Sequence, residues 1–208
     1  SSSVVQFDAW TWEDALYKEN VAMNFYMPSL LNRPRNRFGG GGGGAQQEVD
    51  VVKLALERIE AVKVFLREAK AYQQQNPKIP TNLKFESVKG LFDKSQKLFV
   101  HCNLVKEMLV AIDFVNEFGF DVTIVGGSES FLIAPLLKQN NISVILMQMH
   151  SLPTSEDDDI DQPFKTPAML QQAGVLFAIT DEDGQTTGRN LMFNAGTAAS
   201  YSLTKEEA

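Results

Sequence analysis

Cysteine, long apolar runs and positive charge are all scarce in this sequence. Its single cysteine, Cys102, excludes an internal disulfide framework, so the fold must be held by a core, and it leaves the redox compartment unassigned. No apolar stretch approaches the ~20 residues that a helix needs to cross a bilayer. The opening Ser1-Ser-Ser has no basic-then-apolar targeting pattern, and localisation stays open. Basic residues number 19 against 26 acidic ones, giving a net charge of -7. That balance repels phosphate backbones and argues against nucleic acid as the main partner, whereas a neutral or cationic small molecule fits it. Glycine is not scarce, but the run of six before Ala45 lacks the spacing of a phosphate cradle, with no G-x-x-x-x-G-K-[ST] and no G-x-G-x-x-G.

What is present is enough for a core: 208 residues of which 44% are hydrophobic. Residues 4–31 mix short apolar groups with aromatics, and predict an extended segment, a turn of helix near Trp12 and a second extended segment over residues 21–27. Residues 32–45 hold Arg33, Arg35 and Arg37 and then the glycines, the composition of a flexible loop or linker; a solvated loop and an anion tether are its two readings. Over residues 46–75, Val49, Val52, Leu56, Ile59, Val62, Leu66 and Ala69 recur at steps of three and four, which predicts a helix with one buried stripe, stopped by Pro77 and Pro80. Residues 82–94 predict a short amphipathic helix broken near Gly90.

From Lys97 onward the chain repeats one pattern, a turn residue followed by a short apolar run and then a helix. Strands are expected near residues 98–101, 119–125, 141–146 and 174–179, with a helix over about 104–118 capped by Asn103 and another restarting at Pro135. Strand-helix units of this size require parallel strands joined by right-handed crossovers, here in sequence order. The C-terminal ends of such strands gather the ligand-binding loops. The long acidic loop of residues 150–163 reads as a solvated segment, since a calcium site wants alternating oxygen ligands and a turn glycine that Glu156-Asp-Asp-Asp-Ile-Asp161 does not provide.

The succession KLFVHCN (97–103), DVTIVGGSESF (121–131), SVILMQMHSLP (143–153), GVLFAITDEDG (174–184) and GRNLMFNAG (188–196) resembles the C-terminal half of the amidohydrolase superfamily barrel, and most of all its imidazolonepropionase and prolidase-like branch. The likeness covers residues 97–197 strongly and residues 7–29 more weakly. It implies strands five to eight of a (β/α)8 barrel, an α/β fold. It also implies roles: His101 as the fifth-strand metal ligand, and Asp181 as the eighth-strand aspartate that binds metal and handles the proton of the attacking water. Asn103, Glu129 and Arg189 are the implied substrate contacts. His150 is the remaining imidazole available as a metal ligand. The sequence departs from the family where Gly126 stands in place of the sixth-strand histidine, and the first-strand His-x-His is absent.

Because zinc hydrolases usually hold the metal on three protein ligands, two positional matches predict a reduced or lost site, and no tightly bound metal in this fragment; zinc or another divalent metal belongs to the full-length protein. His101 is equally consistent with a hydrogen-bonded structural residue, and Asp181 with a turn former. A full barrel takes ~250 residues, so four parallel strands imply part of a longer protein. Residues 1–48 are then an insertion with an aromatic extended segment and the glycine-rich loop, and residues 49–208 a partial barrel. The implied activity is hydrolysis of carbon-nitrogen bonds other than peptide bonds. An inactive homologue that binds small molecules is the rival, and a flavodoxin-like doubly wound domain uses the same units without the resemblance. The expected partners are a small-molecule ligand, the rest of the chain's own barrel and a second copy of the chain.

Overall fold

The computed structural model describes residues 1–31, 50–75, 80–147, 149–155, 157–181 and 188–208. The glycine-rich segment 32–45 and the 48/49 boundary lie outside them. In chain order the elements are β1 (Ser2–Val5), α1 (Trp12–Ala15), β2 (Leu16–Tyr26), α2 (Val51–Gln73), α3 (Leu83–Ser87), α4 (Lys89–Phe92), β3 (Lys97–Cys102), α5 (Val105–Phe118), β4 (Val122–Gly126), a 3-10 turn (Ser130–Ile133), α6 (Ala134–Gln139), β5 (Ser143–Leu146), α7 (Gln162–Gln172), β6 (Phe177–Ile179), a second 3-10 turn (Gly188–Asn190) and α8 (Leu191–Ser200). They divide into two compact units, Ser1–Tyr26 with Gly90–Ala208, and Met27–Lys89.

The first unit is built on one six-stranded sheet in the order β1-β2-β3-β4-β5-β6. The strands expected near residues 98, 122, 143 and 177 are parallel and adjacent in sequence order, as the repeated pattern requires. The count of four is corrected to five, since β2 also pairs parallel with β3; β1 is antiparallel to β2. Sequence reading missed this because the aromatic, polar-mixed stretch Asn20 to Tyr26 has no clean apolar run to mark a buried parallel strand. The last strand is also shorter than expected, because only Phe177–Ile179 pair in the ladder.

Strand residues alternate between two faces. Leu98, Val100 and Cys102 of β3 are buried on the helix-covered face, while Phe99 and His101 are half-buried on the other. On the helix side Phe25 meets Phe114 of α5 edge-on at 5.6 Å, and Phe114, Phe118 and Phe120 continue the aromatic layer. Gly119 ends α5 in the left-handed region, φ 73, where its N–H closes the last turn on Val115. A second apolar cluster, Met149, Ala168, Ala198 and Leu203, seats α7 and α8 with Phe177 and Ile179 of β6.

The unit Met27–Lys89 holds α2, whose first turn is capped by Asp50 accepting from Val52 and Lys53 N–H, both at 3.1 Å. Its buried stripe is Ala55, Ile59, Leu66, Ala69 and Tyr72, one position away from the expected one near its start, so that Leu56 is exposed. Tyr72 and Phe65 pack on Phe85 of α3, and the Tyr72 hydroxyl accepts from Asn82 N–H. The helix expected over residues 82–94 is two short ones, interrupted at Val88 and not at Gly90.

Candidate functional site

All five parallel strands end on one rim, which therefore collects the ends of β2 to β6 and the loops that follow them. His101 is the last-but-one residue of β3 and Asp181 follows β6 by two residues, so both stand at this rim. Three strand spacings separate them, roughly 14 Å along the sheet.

On the helix-free face, Tyr26 is the register partner of His101 and Asn24 that of Phe99. The Tyr26 and His101 rings stack at 4.1 Å and 17°. His101 Nε2 is 2.9 Å from Asn24 Oδ1, and Asn24 Nδ2 donates to Ser2 Oγ at 2.9 Å. An amide oxygen only accepts, so Nε2 carries the proton and Nδ1 is left with the ring's lone pair. Burial lowers the His101 pKa below its ordinary 6.5, favouring this neutral form. Neither Asn24 nor Tyr26 was picked out from the sequence as a site residue; two polar groups at a spacing of two in one strand were the available signal.

Between β3 and β4 the rim is braced by its own loops. Ser128 Oγ donates to Asn103 Oδ1 at 3.1 Å, and the N–H groups of Gly127 and Glu129 donate to the carbonyls of Cys102 and Asn103. Glu129 accepts from Val105 N–H at 2.8 Å, while the buried Glu107 accepts from Asn103 and Leu104 N–H. The start of α5 is thus capped by two carboxylates and not by the Asn103 side chain as expected. Gly126 has φ +107, and a Cβ there would lie 2.5 Å from Asn103 Oδ1 and 2.9 Å from the Cys102 carbonyl. Any side chain at this position, where the resemblance leads one to expect a histidine, would force these neighbours to shift. Cys102 beside it is buried, and burial with the neighbouring Glu107 carboxylate pushes its thiol up to about 12, which leaves it inert at neutral pH.

At the far side of the sheet, His150 is exposed, with Nε2 2.9 Å from Thr197 Oγ1 and its ring edge-on to Phe164. Thr197 Oγ1 donates to the Phe193 carbonyl, so here too Nε2 is the donor. Asp181 accepts from the buried Asn194 of α8 at 3.3 Å. Arg189 is exposed in the turn before α8. Apart from the exposed Arg189, the expected site residues therefore fall into three separate clusters: His101 with Asn24 and Tyr26, Asn103 with Glu129, and His150 and Asp181 each held by α8. A cavity of about 20 Å³ lies behind the rim among Ser128, Phe131, Met149 and Thr166, room for one water.

The donor set does not fit a zinc site by itself. Among the described residues no three His, Cys, Asp or Glu side chains come together. Nε2 of His101 is taken by an amide oxygen, so His101 can offer only Nδ1, and the intervening strand offers Gly126. A metal held here would need ligands from beyond the described residues.

No family model and no curated protein matches the sequence. Among solved structures, an amidohydrolase from Thermotoga maritima MSB8 superposes with a TM-score of 0.70 at 19% identity, over 99% of this chain and 53% of that one. The chain thus spans about half the length of that structure and shares its fold there: a curled, mostly parallel α/β half-barrel sheet.

Proposed function

We propose that the full-length protein is an amidohydrolase-type hydrolase of carbon-nitrogen bonds other than peptide bonds, and that this chain supplies the half of its barrel containing strands five to eight, β3 to β6. The likeness to the Thermotoga maritima amidohydrolase across 99% of the chain is the observation that carries this reading. Small-molecule substrate binds where parallel strands end. In a carbon-nitrogen hydrolysis, water adds to the carbonyl carbon and loses a proton, and the leaving nitrogen gains one. Asp181, oriented by Asn194, is the group proposed to take and return that proton. The metal site is read as reduced, since among the described residues no three His, Cys, Asp or Glu side chains come together; His150, Asn103, Glu129 and Arg189 remain proposed contacts of the larger site.

Turnover by the purified full-length protein of a panel of cyclic and acyclic amides and ureas tests the reading. Asp181→Asn is expected to lower kcat by on the order of 10²-fold or more with little change in stability. An unchanged rate would overturn the role of Asp181.

The rival reading, an inactive homologue that binds a small molecule or partner, is favoured by one geometric observation: Gly126 has no room for a histidine. Elemental analysis separates the two. Stoichiometric zinc with turnover supports the hydrolase, while absence of both, with ligand binding retained, supports the rival.

A further inference from the structure

The side chain of His101 is held from two directions. Asn24 Oδ1, itself positioned by the Asn24 amide N–H bond to Ser2 Oγ, fixes the proton on Nε2 at 2.9 Å. Tyr26 covers one ring face at 4.1 Å and near-parallel, which stops rotation of the imidazole about its own axis. Both partners come from β2, and their register against β3 places Tyr26 level with His101 and Asn24 one layer down. A histidine meant to take a metal through Nε2 would need that atom free, with its other nitrogen donating to an orienting acceptor. Here the acceptor is on Nε2 itself. What remains on the half-buried imidazole is one lone pair, Nδ1, beside Tyr26, a residue that is 72% exposed. A lone-pair acceptor beside a flat apolar surface is complementary to a flat, uncharged molecule that presents an N–H or O–H.

We infer that His101, Asn24 and Tyr26 form a ligand subsite in which Nδ1 of His101 accepts a hydrogen bond from the N–H or O–H of a flat neutral small molecule, and that His101 does not bind metal through Nε2. The inference rests on the reading of this rim as a ligand site but not on hydrolysis.

Nitrogen-detected NMR of the ¹⁵N-histidine-labelled full-length protein tests it without an activity readout. Wild type is expected to give His101 as the Nε2–H tautomer, with that pattern lost in Asn24→Leu. Stoichiometric zinc is expected to leave the His101 signals in place. 2-Pyrrolidone, which has one N–H, is expected to shift Nδ1 saturably, and N-methyl-2-pyrrolidone, which lacks it, is not. His101→Gln identifies the signals and serves as the control. An Nδ1–H tautomer, a stoichiometric zinc shift of either ring nitrogen, or equal responses to the two lactams, including none from either, would overturn the inference. These outcomes are distinct from failure of the hydrolase reading, which is measured by turnover together with bound zinc content.

Discussion

At Gly126 the backbone turns through φ +107 directly beneath Asn103, and a Cβ would press on a side-chain oxygen and on a main-chain carbonyl at once. The carbonyl cannot move without disturbing the β3–β4 ladder, so accommodation is costly. Introducing the histidine expected from the resemblance, by Gly126→His, is therefore expected to lower stability by about 2 kcal/mol or more, read from the denaturation midpoint, and to leave zinc affinity unimproved. A variant as stable as wild type that gains zinc would show that the loop yields easily. The same loop explains why a departure of one residue from a motif matters physically: the chain has adopted a conformation that only glycine occupies without strain.

Among the elements, α5 is the one whose anchoring differs most from expectation. Its first turn leaves N–H groups without intrahelical partners, and these are met by Glu107 from within the helix and by Glu129 from the loop after β4. Glu129 thus ties two neighbouring strand-helix units together at the rim. Glu129→Ala is expected to cost about 1 kcal/mol, and Glu129→Gln, which keeps an acceptor, less than half of that, by urea denaturation. If Glu129 instead contacts substrate, the Gln variant will retain stability and lose ligand affinity, so the two measurements together assign its role.

For the whole molecule, the aromatic segment before β2 is the part least accounted for by internal packing. Phe7 and Trp10 are each 99% exposed and Trp12 77%. Because the Trp10 ring is almost wholly exposed within this chain, Trp10→Ser in the 208-residue chain is expected to change stability by less than ~0.5 kcal/mol. A larger loss would show that the ring is covered by contacts absent from this structure.

The strands beginning near Lys97, Val122, Ser143 and Phe177 were legible in the sequence because each is a short apolar run behind a turn residue, and because each is followed by a helical stretch. Their parallel order followed from the connection lengths alone, since a strand-helix-strand unit returns the chain in the same direction. The rim position of His101 and Asp181 follows from the same topology. What only the tertiary structure decided are the contacts between segments far apart in the chain. The pairing of β2 with β3 joins residues about 75 apart and supplies Asn24 and Tyr26 to His101, and no local periodicity encodes it. The tautomer of His101, the capping of α5 by Glu129 and the exclusion of a side chain at Gly126 depend likewise on which neighbours arrive within 3 Å, a distance that the fold sets and local pattern does not.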